Sequence, residues 1–138
     1  MANLFVPNST QTPNIAIDFL MAHLPEAEFK ALVYIYRRTF GFQKSGDTIS
    51  LSQFTNGMTG KNREHLDYGT GLSKTSNIKA IASLKRLGLV LVIKTHGTNY
   101  YKPVLDVDID FVLKNIPKLK KTTTEKIKER FNQLKLFA

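Results

Sequence analysis

The chain has 138 residues, enough for one domain with a core of its own, and its 42% hydrophobic, 22% charged composition is that of an ordinary globular protein. Twenty Lys and Arg against eleven Asp and Glu leave a formal charge of +9, which favours an anionic partner, either nucleic acid or a lipid surface. Without cysteine there is no disulfide framework and no thiolate metal site. No apolar run approaches a membrane span, and MANLFVPNST lacks the basic start and apolar stretch of a secretory signal, so the expected location is the cytoplasm.

Residues 1–12 read as an N-terminal arm. Pro13 then opens a first helix, TPNIAIDFLMAHL, in which Ile17, Leu20, Met21 and Leu24 recur at helical spacing. Pro25 opens a second, PEAEFKALVYIYRRTFGF. Glu26 and Glu28 lie in its first turn and Arg37 and Arg38 in its last, as the helix dipole favours, and Phe29, Leu32, Val33 and Tyr36 supply the expected buried stripe. Gly41 and KSGDT end this helix, and TIS is a short β-branched strand that needs a later partner. Ser50 caps a short helix, LSQFTNG, with Leu51 and Phe54 inward. Residues 57–71, GMTGKNREHLDYGTG, form a polar, Gly-rich loop, longer than the turn of a tight helix-turn-helix.

Ser73 caps the next helix and Gly88 stops it before LVLVI. At a helical step, Ile78, Ile81, Ala82 and the flank of Leu84 share one side, the expected core face. Ser76, Lys79, Ser83 and Arg86 share the other, with Thr75 at its edge. LVLVIKTHGTNYYKPVLDV then gives two strands around a turn at Gly97 and Asn99. Between Tyr68 and Leu105 stand Lys74, Lys79, Lys85, Arg86, Lys94 and Lys102 and no acid, which marks the segment as a binding surface. Residues 106–138 read as a helical extension and basic tail. DIDFVLKNIP is a short helix stopped at Pro117, KLKK a linker, and TTTEKIKERFNQLKLFA a helix with a Thr122-x-x-Glu125 capping box. Ile127, Phe131 and Leu134 form a narrow stripe on that helix that must bury on its own domain, on a second copy or on another partner, and the basic linker before it favours a second copy, giving a homodimer, or a partner.

The order helix, helix, strand, helix, helix, strand, strand is that of a winged helix-turn-helix, mainly α with a small β-sheet, over residues 13–105. In that arrangement the second motif helix enters the major groove and the hairpin reaches an adjacent groove or phosphates. The expected partner is double-stranded DNA. Ser73, Lys74, Thr75, Ser76, Asn77, Lys79 and Ser83 are the recognition-helix candidates, because hydroxyls and amides contact bases or phosphates and Lys supplies a charge or reaches guanine. Lys94, His96, Thr98, Asn99, Tyr100 and Lys102 are the wing candidates, with one of Tyr100 and Tyr101 facing the core. Arg37, Arg38, Lys44, Lys61, Arg63 and Arg86 are candidate phosphate contacts, and His65 lies among the loop's basic residues.

TPNIAIDFL, LPEAEFKALVYIYRRTFGFQKSGDTISLSQF and GTGLSKTSNIKAIASLKRLGLV together resemble the N-terminal domain of bacteriophage replication protein O and related phage replication initiators. The likeness runs over roughly residues 11 to 95. It rests on Pro13-Asn14, Arg38-Thr39-Phe40-Gly41-Phe42, Ser50-Leu51-Ser52 and Gly71-Leu72-Ser73. The resemblance implies sequence-specific binding at repeats in a replication origin and recruitment of the replicative helicase or its loader, in a bacterial or phage-infected host cytoplasm. The long 57–71 loop departs from the shortest members of that family.

Signals for catalysis fail one by one. GMTGKN lacks the spacing and the Ser/Thr of a phosphate loop. DVDIDF carries the first aspartates of a calcium loop, but Phe111 stands where Gly is required and Pro117 where the closing Glu belongs. The three His residues have no ligand-spaced companions, and the Ser residues sit at caps. No enzyme, metal or cofactor is expected. The rival readings are a transcriptional repressor on the same fold, a winged helix that binds protein and not DNA, and a peripheral membrane binder through residues 122 to 137.

Overall fold

The computed structural model of the protein describes residues 9–116 and Phe131. Its elements run as a π-helical turn, Ala16–Leu20, continuing into α1 (Met21–His23), then α2 (Glu26–Thr39) with a closing turn of tighter helix at Phe40–Phe42. β1 (Asp47–Ile49), α3 (Leu51–Asn56), α4 (Lys74–Arg86), β2 (Val90–Ile93), β3 (Asn99–Pro103) and α5 (Ile109–Asn115) follow. The class is a helical protein with one small three-stranded antiparallel sheet.

Local chemistry sets the helix ends. Ser50 and Gln53 form a reciprocal capping box at the start of α3, the Ser50 side chain accepting from Gln53 N–H while Gln53 Oε1 accepts from Ser50 N–H. Ser73 Oγ accepts from Ser76 N–H at α4 and Asp108 Oδ1 from Phe111 N–H at α5, both at 3.1 Å. Gly88, at φ +74°, is the left-handed residue that ends α4 and turns the chain into β2.

The buried faces depart from simple helical spacing. Leu20 and Leu24 are inside as expected, but Ile17 and Met21 are 46% and 50% exposed, and Ala16 and Phe19 take their places. The π-helical turn is the cause, because it winds more residues per turn and so shifts the stripe. In α2, Leu32 and Tyr36 are buried, whereas Val33 is exposed and Phe29 only half-buried; Ala31, Tyr34, Ile35 and Thr39 complete the inner face. That face is wide because α2 is covered by α4, β1 and β3 together. Burial pushes the Tyr36 hydroxyl up to about 12, and raises Tyr34 and Tyr101 above the usual tyrosine range as well.

β3 is the central strand, antiparallel to β1 on one side and to β2 on the other, with Ile49 opposite Asn99 and Val92 opposite Tyr101. Ile49, Val90 and Tyr101 turn inward, and Tyr101 meets Phe54 edge-on at 5.2 Å. Tyr101 is therefore the core tyrosine of the adjacent pair. Val112, Leu113 and Ile116 join the same buried cluster, so α5 is continuous with the core of the preceding residues.

Phe131 is 7% exposed and meets the Phe19 ring edge-on at 5.3 Å. This corrects the expectation for that residue. Of the three places where that side chain was expected to bury, the structure places it against its own domain's core. The remainder of the N-terminal arm's start, the KLKK linker, the Thr122 capping box, Ile127 and Leu134 lie outside the described residues.

Candidate nucleic-acid interface

α4 lies on α2 and α3 through Asn77, Ala80, Leu84 and Leu87, a buried stripe recurring every three or four residues. The expected core face is thus rotated, and Ile78 is 49% exposed. The reason is Asn77. Its Oδ1 accepts from the Thr70 hydroxyl at 2.8 Å, and its Nδ2 donates to Leu72 O at 3.3 Å and Thr55 Oγ1 at 3.4 Å. With every polar atom satisfied by neighbours, an amide can occupy the centre of a helix interface. Asn77 is fully buried, so it is no base contact but the polar pin that fixes α4 against α3.

The outward face carries Thr75, Ile78, Lys79, Ala82 and Arg86, all exposed, with Lys74 at the first turn and Lys85 at one edge. Ser76 and Ser83 are half-buried at the other edge. Both are partly engaged: Ser73 donates to Ser76 Oγ at 3.0 Å, and Arg86 to Ser83 Oγ at 3.4 Å.

The β2–β3 hairpin divides its candidates between two sheet faces. Lys94, Thr98 and Asn99 border a groove of about 410 Å³ whose other wall is Ile78, Ile81, Ala82 and Lys85 of α4. Tyr100 and Lys102 alternate to the opposite face, beside the exposed Leu91 and Ile93. Tyr100 also lies close over Gly46, where a Cβ would come within 2.3 Å of its hydroxyl. His96 is exposed at the turn, where the Thr95 hydroxyl donates to Thr98 O.

No known family, no curated protein and no solved structure matches the chain.

Among the phosphate candidates, Arg38 is 4% exposed and turned inward. Its Nη1 donates to Gln53 Oε1 at 3.1 Å, and its Nη2 lies 3.5 Å from both Asp47 Oδ2 and Thr48 O. A guanidinium that ties α2, α3 and β1 together is not available to phosphate, contrary to the expectation from its place at the helix end. Arg37 beside it is exposed, over the Phe42 ring at 4.8 Å, and Lys44 is paired loosely with Asp47 at 3.9 Å. Lys61 and Arg63 are exposed at the tip of the 57–71 loop.

That loop is built around a residue sequence reasoning passed over, Asp67. Its carboxylate accepts from Tyr34 Oη at 3.0 Å, from Gly69 N–H at 2.8 Å and from Met58 N–H at 3.3 Å. Thr59 bridges His65, and Gly60 and Arg63 close a turn in which the Arg63 N–H donates to Gly60 O at 3.0 Å. Asp two residues before Gly, closing onto its own backbone, was the available signal. Among the described residues no cluster of His, Asp or Glu could hold a metal ion, and no helix is long and apolar enough to cross a membrane.

Proposed function

We propose that this protein is a winged-helix, sequence-specific binder of double-stranded DNA that acts by binding and carries out no catalytic step. The observation that supports this most is the groove between α4 and the hairpin. Lys85 stands on one wall and Lys94 on the other, Lys74, Lys79 and Arg86 lie along the exposed helix beside it, and no acid occurs in either element. Five exposed cations on an acid-free helix and hairpin suit a polyanion. The exposed Thr75 is free to read a base edge, while Lys79 beside it supplies charge to the phosphate backbone.

The biological role follows from the resemblance over residues 11 to 95. As a phage or plasmid-type replication initiator in the cytoplasm, the protein recognises repeats in an origin and brings the replicative helicase or its loader to them. Selecting bound sequences from a random DNA pool tests the role, since iterated sites favour initiation and a single palindrome favours repression.

DNA binding itself is tested by salt. Five phosphate contacts give a log–log slope of about −4.5, at roughly 0.9 per contact. A flat response, or no binding at low salt, removes the reading.

A further inference from the structure

We infer that the 57–71 loop is a second nucleic-acid contact that stacks an unpaired base on Tyr68; this rests on the DNA-binding reading and extends it to single-stranded DNA. Tyr68 is 74% exposed, the most exposed of the large hydrophobic side chains among the described residues. Its ring is stacked on His65, with centroids 4.7 Å apart and planes 17° from parallel. One face is therefore covered and the other is open to solvent.

The arrangement is held in advance of any ligand. Leu66 N–H donates to Met58 O and Gly60 N–H to Glu64 O, both at 2.8 Å, so the two sides of the loop are paired. Gly57, at φ +86°, packs so closely on the Asp67 carbonyl that a Cβ would come within 2.0 Å of it. The Asp67 carboxylate pins the base of the loop, which leads directly through Gly69 and Thr70 into the start of α4. A platform ordered before binding loses little entropy on binding.

Charge selects the partner. Both acids of the loop are turned to internal hydrogen bonds: Asp67 as above, and Glu64 accepting from Asn62 N–H at 3.0 Å. Lys61 and Arg63 at the tip are exposed and have no ion-pair partner among the described residues, and Lys74 stands exposed at the α4 start. An open aromatic face on a loop that also carries exposed cations without ion-pair partners fits a base with its phosphate, and stacking of this kind is tolerant of sequence. A duplex interior offers no free base face, so the fitting substrate is an unpaired nucleotide, as at a melted or single-stranded stretch beside a duplex site.

The test compares a 20-nucleotide oligo(dT) with a random-sequence duplex of about the same length, using fluorescence anisotropy on the full chain at low salt. Tyr68→Ala is expected to weaken oligo(dT) binding about tenfold and duplex binding less than about twofold, while Tyr68→Phe retains both. Lys79→Ala shows the reverse pattern. Photo-crosslinking to an oligonucleotide carrying 5-iodouracil is expected to label Tyr68. An oligo(dT) affinity that Tyr68→Ala leaves unchanged, or equal losses on both probes, overturns the inference. Duplex binding without oligo(dT) binding overturns it too, yet leaves the proposed function standing. Binding to neither overturns both.

Discussion

The seam between α2, α3 and α4 and the surface between α4 and the hairpin use polar side chains in opposite ways. In the seam, Arg38 and Asn77 are buried and each has three or more partners from different elements. On the surface, Lys79 and Lys94 are exposed and have no ion-pair partner among the described residues. The two regions share a single helix, α4, and lie on its opposite faces. The difference teaches that polarity along this chain has two separate jobs, fixing helix angles inside and offering charge outside. Neither job can be read from residue type alone.

The largest effect that sharpens this contrast belongs to Arg38. Replacing it with Ala takes the guanidinium away from Asp47 and Gln53, which keep only Lys44, the Thr48 N–H and the Ser50 N–H, and is expected to destabilise the fold by about 2–3 kcal/mol, less than a fully stranded buried pair would cost. Asn77→Ala leaves the Leu72 carbonyl without its amide donor and the Thr70 hydroxyl with Phe54 O alone as acceptor, and is expected to cost about 2 kcal/mol. Urea midpoints measure both. A loss under about 0.5 kcal/mol for either would erase the distinction between seam and surface.

Alkali probes the seam from another side. Tyr36 holds its proton up to about 12 in the native state, above its ordinary value of 10.0, so between these limits the native state binds more protons than the unfolded one. Stability is therefore complete below the lower value and falls as pH rises through the window. Its share at about pH 11 is about 1.4 kcal/mol, and Tyr36→Phe is expected to remove that part of the slope in urea titrations. Tyr34 and Tyr101, raised in the same direction by burial, keep a remainder. An unchanged slope in Tyr36→Phe would show that the hydroxyl is solvated.

The smallest expected effect lies on the surface. Lys79→Ala should move stability by no more than about 0.5 kcal/mol, while lowering duplex affinity and reducing the salt slope by about 1. Thermal unfolding and titration on the same sample check the pair of outcomes. A large loss of stability would mean that Lys79 belongs to the packing after all.

Elements whose signals are local were legible in the sequence. The caps at Ser50 and Ser73, the stop at Gly88, the strand near Thr48 and the paired strands after Leu89 all appear where turn and cap residues mark them. The phase of the buried faces was less legible. A π-helical turn shifts the first stripe, and nothing in local spacing announces it. Arg38 and Asn77 read as surface groups because their partners lie far along the chain, Gln53 fifteen positions from one and Thr55 twenty-two from the other. The charge of the candidate surface was legible for a different reason. Charge sign needs no three-dimensional partner to be visible, and an acid-free stretch remains acid-free however its helix is rotated.

The clasp of Asp67 on Tyr34, Met58 and Gly69 closes the 57–71 loop at its base, leaving the turn at Lys61 and Asn62 outside the closure. Segments closed in this way can change length at the tip without altering the geometry below, because each doubling of a loop costs only about 0.6 kcal/mol in closure entropy. Proteins built on the same frame can thus grow or shed residues at this turn while α3 and α4 keep their crossing. Length variation between relatives, and tolerance of an inserted peptide tag, should concentrate at this one point of the chain.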